Sequence, residues 1–456
     1  MMDLTGKKVV VIGLSKRTGV ATARMLAEQK ARVVVSDIKR REDLKEELAM
    51  LKDYDIDYEL GGHSDSLLRG DLIIVSPGVP LDLPFFKKAR KKGIKLISEI
   101  ELAYHFTEAK IVAITGTNGK TTTTALTGEI FKKAKTDCRV RVAGNIGVPL
   151  IQEAPGLTAD DWLIVEVSSF QLEACENFRP FISAYLNFSP DHLDRHKTIK
   201  KYWQAKKQIF AAQKKNDFAV INQDDPQVKK AARDCQARIH KISLLDEVKQ
   251  GTFLQDNMLV SRCCGKEDTI IARREIPLPG DHNIANCAFA IQIARLAGIS
   301  KDVIKQTICD FQPHKHRMEK FYSRQQGTIF IDDSKATNPL ATISALKSLE
   351  KPVILIAGGQ DRQADFSALA AVIKKHVKTL ILLGESKDKI EKAVLKQGFN
   401  NIYKVEKMVE AVEKVFKEMT DGDCVLLSPA CPSWDMYQDY KERGNHFKNE
   451  VNKYLS

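Results

Sequence analysis

The sequence predicts an α/β protein of three domains: a Rossmann-like N-terminal domain, a P-loop-type central domain and a Rossmann-like C-terminal domain. Three observations carry that expectation. Short β-branched runs recur along the chain, each ending in a Gly-, Ser- or Asp-bearing turn and followed by helical periodicity. That is the pattern of a parallel sheet covered by helices. The length of 456 residues suggests about three such units. The stretch Ile111 to Thr122 reads as strand, Gly-flanked loop and helix start, the layout of a phosphate site.

Composition narrows the classes. Hydrophobic content of 43% suits packed cores, and 29% charged residues is ordinary for a soluble chain. No apolar run approaches the ~18 residues that span a bilayer. Val9 to Leu14 is too short for a signal peptide, so a cytoplasmic location with no membrane partner is expected. Nine cysteines without a C-x-x-C pair agree with that, and adjacent Cys263 and Cys264 are unsuited to an ordinary disulfide. His314-Lys315-His316 lacks a partner ligand at metal spacing and reads as a loop with two histidines. The net charge of +12 favours anionic partners. The basic residues are dispersed in short helical blocks such as Lys87 to Lys92, without interleaved aromatics. A phosphorylated small substrate is therefore expected rather than nucleic acid.

In residues 1–98, Lys7 to Ile12 is a strand ending at Gly13, followed by a helical pattern through Ala21, Met25 and Leu26. Arg32 to Ser36 is a second strand, ending at Asp37. This βαβ unit approaches a dinucleotide fingerprint, but Ser15 and Thr18 replace the second and third Gly. The missing second Gly disfavours NAD. Asp37 could accept hydrogen bonds from a ribose or base, or simply cap its turn. Asp71 to Val75 leads into Ser76-Pro77-Gly78 at a strand's carboxyl end, where open α/β sheets bind ligands. Ile94 to Ile97 is a further strand, and the helix Glu99 to Phe106 reads as a linker.

Residues 99–313 open on Gly116-Thr117-Asn118-Gly119-Lys120-Thr121. Backbone N–H groups of such a loop converge on an anion. Lys120 would reach the β- and γ-phosphates, and the Thr121 hydroxyl would take Mg2+. Ile114 stands where the general pattern has its first Gly. Gly144-Asn145-Ile146-Gly147 is a tight turn with one side chain to aim. Glu166 lies in an apolar strand, where a lone carboxylate is costly unless it meets a cation; a metal ligand and an exposed strand end both fit. Asp191-His192-Leu193-Asp194 ends another strand. Lys206 follows in a helix with Trp203, Lys207 and Phe210 at i, i+3, i+4, i+7 spacing, and composition alone makes it a solvated surface lysine. A charged, weakly patterned region precedes Gly280-Asp281-His282-Asn283, a loop entering an Ala-rich helix with Asn286 one turn on.

Residues 314–456 repeat the α/β pattern. Strands at Thr328 to Ile331, Val353 to Ala357, Leu380 to Leu383 and Cys424 to Leu427 each end in polar turns, including Asp332 to Asn338, Gly358 to Arg362 and Ser428 to Trp434. These turns should gather along one sheet edge.

In chain order the sequence carries G-T-N-G-K-T, G-N-I-G, E-V-S-S-F-Q-L-E, D-H-L-D-R-H, G-D-H-N, H-R-M-E, D-D-S-K-A-T-N and S-P-A-C-P-S-W-D. Together, over nearly the whole chain, they resemble the Mur ligase family. S-S-F-Q-L-E and D-S-K-A-T-N resemble the branch that adds D-glutamate to UDP-N-acetylmuramoyl-L-alanine. The resemblance implies a central ATPase domain flanked by UDP-binding and amino-acid-binding domains, acting as a monomer on those two partners. It implies that the loop Gly116 to Thr121, with Asn283, Asn286 and Arg317, contacts ATP. It places two Mg2+ ions on Thr121, Glu166, His192 and a Lys206 carbamylated by CO2. The UDP-substrate falls to Ser15, Asp37, Ser76, Pro77, Gly78 and Asn145. D-glutamate falls to Lys335, Thr337, Arg362, Ser433 and Tyr440. Lys120, His192, Lys206 and Lys335 become the catalytic set. Arg362 and Tyr440 depart from the Lys and Phe of some relatives. Rivals are another ligase of the superfamily, such as folylpolyglutamate synthetase, a silent nucleotide-binding protein or amidotransferase subunit, and a nucleic-acid-stimulated ATPase.

Overall fold

Parallel strands bury both faces, and the β-branched runs supply apolar side chains for both. The computed structural model describes residues 2–278, 280–312, 315–323, 327–349 and 351–455. Its chain divides into two compact units, Met1–Glu275 with Ala285–Asp310, and Ile276–Ile284 with Phe311–Ser456.

The first unit holds two sheets. The N-terminal sheet has five strands, all parallel, in the spatial order Ile56–Leu60, Arg32–Asp37, Lys8–Ile12, Leu72–Val75, Lys95–Ser98. Val9 to Ile12 are fully buried at its centre. The order reverses between Lys8–Ile12 and Leu72–Val75, so the turns after Gly13 and Val75 meet at a topological switch point. Ser76 Oγ donates to Gly13 O at 2.6 Å there.

The nine-stranded sheet places Lys110–Thr115 between Ile182–Tyr185 and Trp162–Glu166, all parallel. Val140–Gly144 lies beyond Trp162–Glu166. On the other side come Phe218–Asn222, Arg238–Ser243 and Gly251–Gln255, still parallel. The sheet then ends in an antiparallel arm, Gly251–Gln255, Met258–Cys263 and Lys266–Ala272. Its two-residue turns, Asp256-Asn257 and Cys264-Gly265, all have positive φ. That is the mirror-image turn geometry that matches strand twist. The arm falls in the region expected to be weakly patterned. The helix Glu99–Tyr104, at the place read as a linker, is well packed. Glu99 to Ala103 are buried, and the Glu101 carboxylate accepts the N–H groups of Asn177 and Phe178.

The second unit carries six strands, in the order Glu319–Ser323, Ile329–Asp332, Cys424–Leu427, Val353–Ala357, Val377–Leu382, Ile402–Lys404. Only the first pairs antiparallel. Asp332 and Ile356 both pair with Leu427, so the three polar turns that follow share one edge. Gly358 is needed at the middle turn: its φ is +116°, and a Cβ would collide with Leu383 O. Among the described residues no helix is long and apolar enough to cross a membrane.

Candidate active site

The phosphate loop joins Lys110–Thr115 to the helix Lys120–Ala134. Gly119 begins that helix at φ +83°, and a Cβ there would run into Asn286 Oδ1. The loop is stapled from the neighbouring strand end: Asn187 Oδ1 accepts Asn118 N–H at 2.9 Å, and its Nδ2 donates to Asn118 O at 3.1 Å. Thr117 N–H donates to Asn187 O at 3.0 Å, and the Thr117 hydroxyl reaches Ser189 O and the Tyr202 hydroxyl. Lys120 Nζ folds over the loop and donates to Gly116 O at 2.8 Å and Thr117 O at 2.9 Å. Thr121 is buried at the same helix start. Asn286 accepts from the Thr123 hydroxyl at 3.2 Å. Asn283, also buried, lies in the first turn of the helix Asp281–Leu296 rather than in a loop.

Glu166 closes the adjacent strand and is 2% exposed. Its Oε1 accepts from Asn145 Nδ2 at 2.8 Å, whereas Oε2 is buried without a hydrogen-bond partner. Lys206 is not a surface lysine. It is 1% exposed, its Nζ donates to Gly116 O at 2.7 Å, and it lies 4.9 Å from the Tyr202 ring centre. Burial pushes its pKa well down, and the nearby Lys120 charge adds to that. Trp203 and Lys207 keep the outer face while Lys206 turns inward, because its helix packs against Ser169–Leu172 and the loop. His192 has a left-handed backbone, φ +52°, and its ring lies 6.1 Å from that of Tyr202, whose hydroxyl meets Thr117 of the loop.

The turns at the carboxyl edge of the N-terminal sheet use their polar groups on each other. Asp37 Oδ2 accepts Leu14 N–H at 2.7 Å and Oδ1 accepts Lys39 N–H at 2.9 Å, so the carboxylate shapes both turns. Ser15 Oγ accepts Gly19 N–H at 3.0 Å. A Cβ on Gly78 would meet nothing within 4 Å, so the tip of the Ser76-Pro77-Gly78 turn faces open space while Ser76 stays buried. Arg17, not singled out from sequence, donates to Gly144 O at 2.6 Å and Asn145 O at 3.0 Å, joining this turn to the Glu166 partner.

In the second unit, Lys335 Nζ lies 5.3 Å from the Tyr440 ring centre and Arg362 stacks 4.6 Å over Trp434. Ser433 is buried, and its carbonyl caps a turn by accepting Met436 and Tyr437 N–H groups. Thr337 is half-buried beside Asn338, which caps the helix Pro339–Lys347. Asp333 is fully buried and takes Ser428 Oγ at 2.8 Å and Met318 N–H at 3.2 Å; burial raises its pKa to about 7, partly offset by Arg317. Arg443, missed from sequence, reaches across from the helix Tyr440–Leu455. It donates to Ser334 Oγ, Ser334 O and Cys431 O at 2.8–3.1 Å, tying two turns together. Of the two-histidine loop, His314 lies outside the described residues. His316 Nδ1 is 2.6 Å from Asp332, near Glu319, and Lys448 sits on both carboxylates. That lysine already supplies the cation.

Asn187, Arg17 and Tyr202 brace the loops of the first unit, and Arg443 those of the second, without a motif of their own. A polar residue directly after a buried strand was the only signal for Asn187, and the others read as ordinary surface or helix positions.

Three α/β modules with a phosphate loop opening the middle one define a P-loop-type α/β protein. Family models match in order: a Mur ligase MurD-like N-terminal domain over residues 7–98, a Mur ligase middle domain over 114–294, and a Mur ligase glutamate ligase domain over 316–431. The chain belongs to the Mur ligase family. It is 44% identical over 453 residues to the UDP-N-acetylmuramoylalanine--D-glutamate ligase of Clostridioides difficile, covering 99% of each chain. The enzyme of the same name from Alkaliphilus oremlandii is 43% identical, with the same coverage. Among solved structures, a pseudomurein peptide ligase type C from Methanothermus fervidus aligns with a TM-score of 0.61 at 20% identity, covering 99% of this chain and 100% of that one. That likeness is one of fold.

Proposed function

We propose that this chain is an ATP-dependent amide ligase that adds D-glutamate to UDP-N-acetylmuramoyl-L-alanine in cytoplasmic peptidoglycan precursor synthesis. Full-length kinship to UDP-N-acetylmuramoylalanine--D-glutamate ligases supports the reaction. The observation that carries the chemistry is the buried Lys206 amine hydrogen-bonded to the phosphate-loop carbonyl of Gly116.

The donor set fits a divalent cation. Glu166 Oε2 is buried and lacks a partner, and Thr121 lies at the start of the helix that follows the loop. A carbamate on Lys206 would turn a destabilised cation into a second anionic ligand, with His192 completing the set. Carbamylation needs a neutral amine: its nitrogen attacks the carbon of CO2, an N–C bond forms and the amine loses a proton. The depressed pKa of Lys206 favours that neutral form. Mg2+ held there would offset charge on phosphoryl oxygens.

The reaction proceeds in two steps. The L-alanyl carboxylate attacks the γ-phosphorus of ATP, giving an acyl phosphate and ADP. The neutral amine of D-glutamate then attacks the acyl carbon, and phosphate leaves. Lys120 and Lys335 lower the cost of bringing anions together. His192 is the candidate base for the incoming ammonium, in competition with its role as a metal ligand. Arg362 would pair with the side-chain carboxylate of D-glutamate in a bidentate geometry that Lys lacks. Residues 1–98, 99–313 and 314–456 would divide the substrates as UDP-binding, ATP-binding and amino-acid-binding domains.

Phosphate release, measured as each substrate is omitted in turn, tests the reading. Release should require ATP, Mg2+, UDP-N-acetylmuramoyl-L-alanine and D-glutamate together. Turnover with L-alanine or meso-diaminopimelate but not D-glutamate would overturn it in favour of another ligase of the family.

A further inference from the structure

The turn Leu193–His196 is bracketed by two non-glycine residues in left-handed backbone conformations, His192 at φ +52° and Lys197 at φ +65°. Such residues cost of order 1–3 kcal/mol each and persist where neighbours over-determine them. The neighbour here is Glu173, directly after the helix Ser169–Leu172 and mostly buried.

Each of its two oxygens engages one residue of the turn. Oε2 lies 3.1 Å from Arg195 Nη2, which also donates to Val79 O at 2.9 Å. Oε1 lies 3.1 Å from His196 Nδ1, at ion-pair distance without hydrogen-bond geometry. On its other side, His196 Nε2 is hydrogen-bonded to Ser169 Oγ at 2.9 Å, three residues past Glu166. The Phe170 ring fills the space between: it stacks on His196 at 5.1 Å, meets His192 edge-on at 5.0 Å, and carries Arg195 at 5.5 Å. One carboxylate thus ties the end of the helix Ser169–Leu172 to the loop that presents His192, and it holds the Arg195 guanidinium that in turn donates to Val79 O after Ser76-Pro77-Gly78.

We infer that Glu173 is a positioning residue: it clamps Leu193–His196 so that His192 keeps its strained presentation, and it orients Arg195, whose bond to Val79 O joins the same turn to the nucleotide-substrate turn. The link to His192's chemistry rests on the function proposed above; the clamp itself does not.

Hydrogen exchange of the full chain, followed by mass spectrometry, tests it. In the unmodified protein, UDP-N-acetylmuramoyl-L-alanine should slow exchange in a peptide spanning residues 191–198. In Glu173→Ala that peptide should exchange about tenfold faster, and the substrate should no longer slow it. Glu173→Gln keeps the shape and loses the charge, and should fall between; it carries the test if Glu173→Ala does not fold. A peptide from residues 353–361 serves as control. In assays the half-saturating Mg2+ concentration should rise in both variants. Wild-type exchange of 191–198 in both variants would overturn the inference, as would equal acceleration in the control peptide. A chain with the expected exchange behaviour but no D-glutamate turnover would keep the clamp and sink the proposed reaction.

Discussion

At the scale of single residues, two buried ionisable groups make opposite demands on the first unit. Lys206 is tolerated because Gly116 O accepts a hydrogen bond from its amine and Tyr202 offers a ring face. Lys206→Ala should lower ligase turnover by about 100-fold or more, and bicarbonate should not restore it. A variant retaining most of its activity would remove the carbamate from the mechanism. Glu99 is fully buried; its Oε1 accepts Ile151 N–H at 2.7 Å, and Oε2 has no partner. Burial raises its pKa to about 7, with the Arg17 charge opposing. The folded chain therefore holds a proton that the unfolded chain releases near pH 4.5. The stability linked to that proton is complete below pH 4.5 and is lost as pH rises through about 7. Glu99→Gln stays neutral at every pH. It should match the parent at pH 4.5 and exceed its stability at pH 8 by about 3 kcal/mol, read by urea unfolding at each pH. An equal shift at both pH values would mean that the carboxylate is not the cause.

At the scale of elements, the C-terminal helix Tyr440–Leu455 acts as a brace for turns far away in sequence. Arg443 supplies three donors to Ser334 and Cys431 from a buried position, and desolvation lowers its pKa to about 10. Arg443→Met fills the volume but leaves Ser334 O and Cys431 O without this donor, at about 1–3 kcal/mol for each buried group. The KM for D-glutamate should rise about tenfold with that for ATP less affected, checked by initial rates; an unchanged D-glutamate KM would show that the brace does not shape that pocket. The elements legible in the sequence were the buried parallel strands, because their apolar runs are continuous. Arg238–Ser243 and Lys266–Ala272 were not legible: the first alternates basic residues and His240 with two isoleucines, and the second opens on three charged residues before two buried isoleucines, so neither gives a long apolar run. The site was legible where a backbone requirement or a strand-end carboxylate marked it, at Gly119 and Glu166. It was illegible at Lys206, since lysine is normally solvated and only tertiary packing decides its burial. The family resemblance, rather than periodicity, singled that lysine out.

Across the whole molecule, most sheet neighbours are parallel, and a parallel neighbour can be reached only through a long crossover. Lys110–Thr115 pairs with Trp162–Glu166 and Ile182–Tyr185, both many tens of residues downstream. The arm formed by Gly251–Gln255, Met258–Cys263 and Lys266–Ala272 needs only two-residue reversals. Closing short loops costs little chain entropy, and local pairings form faster than distant ones. The arm is thus placed to assemble early and wait for its docking strand. Pulsed amide labelling during refolding should show protection at Leu259 and Ile271 before Val112 and Ile164; simultaneous protection would mean that the hairpins gain nothing until the great sheet has closed.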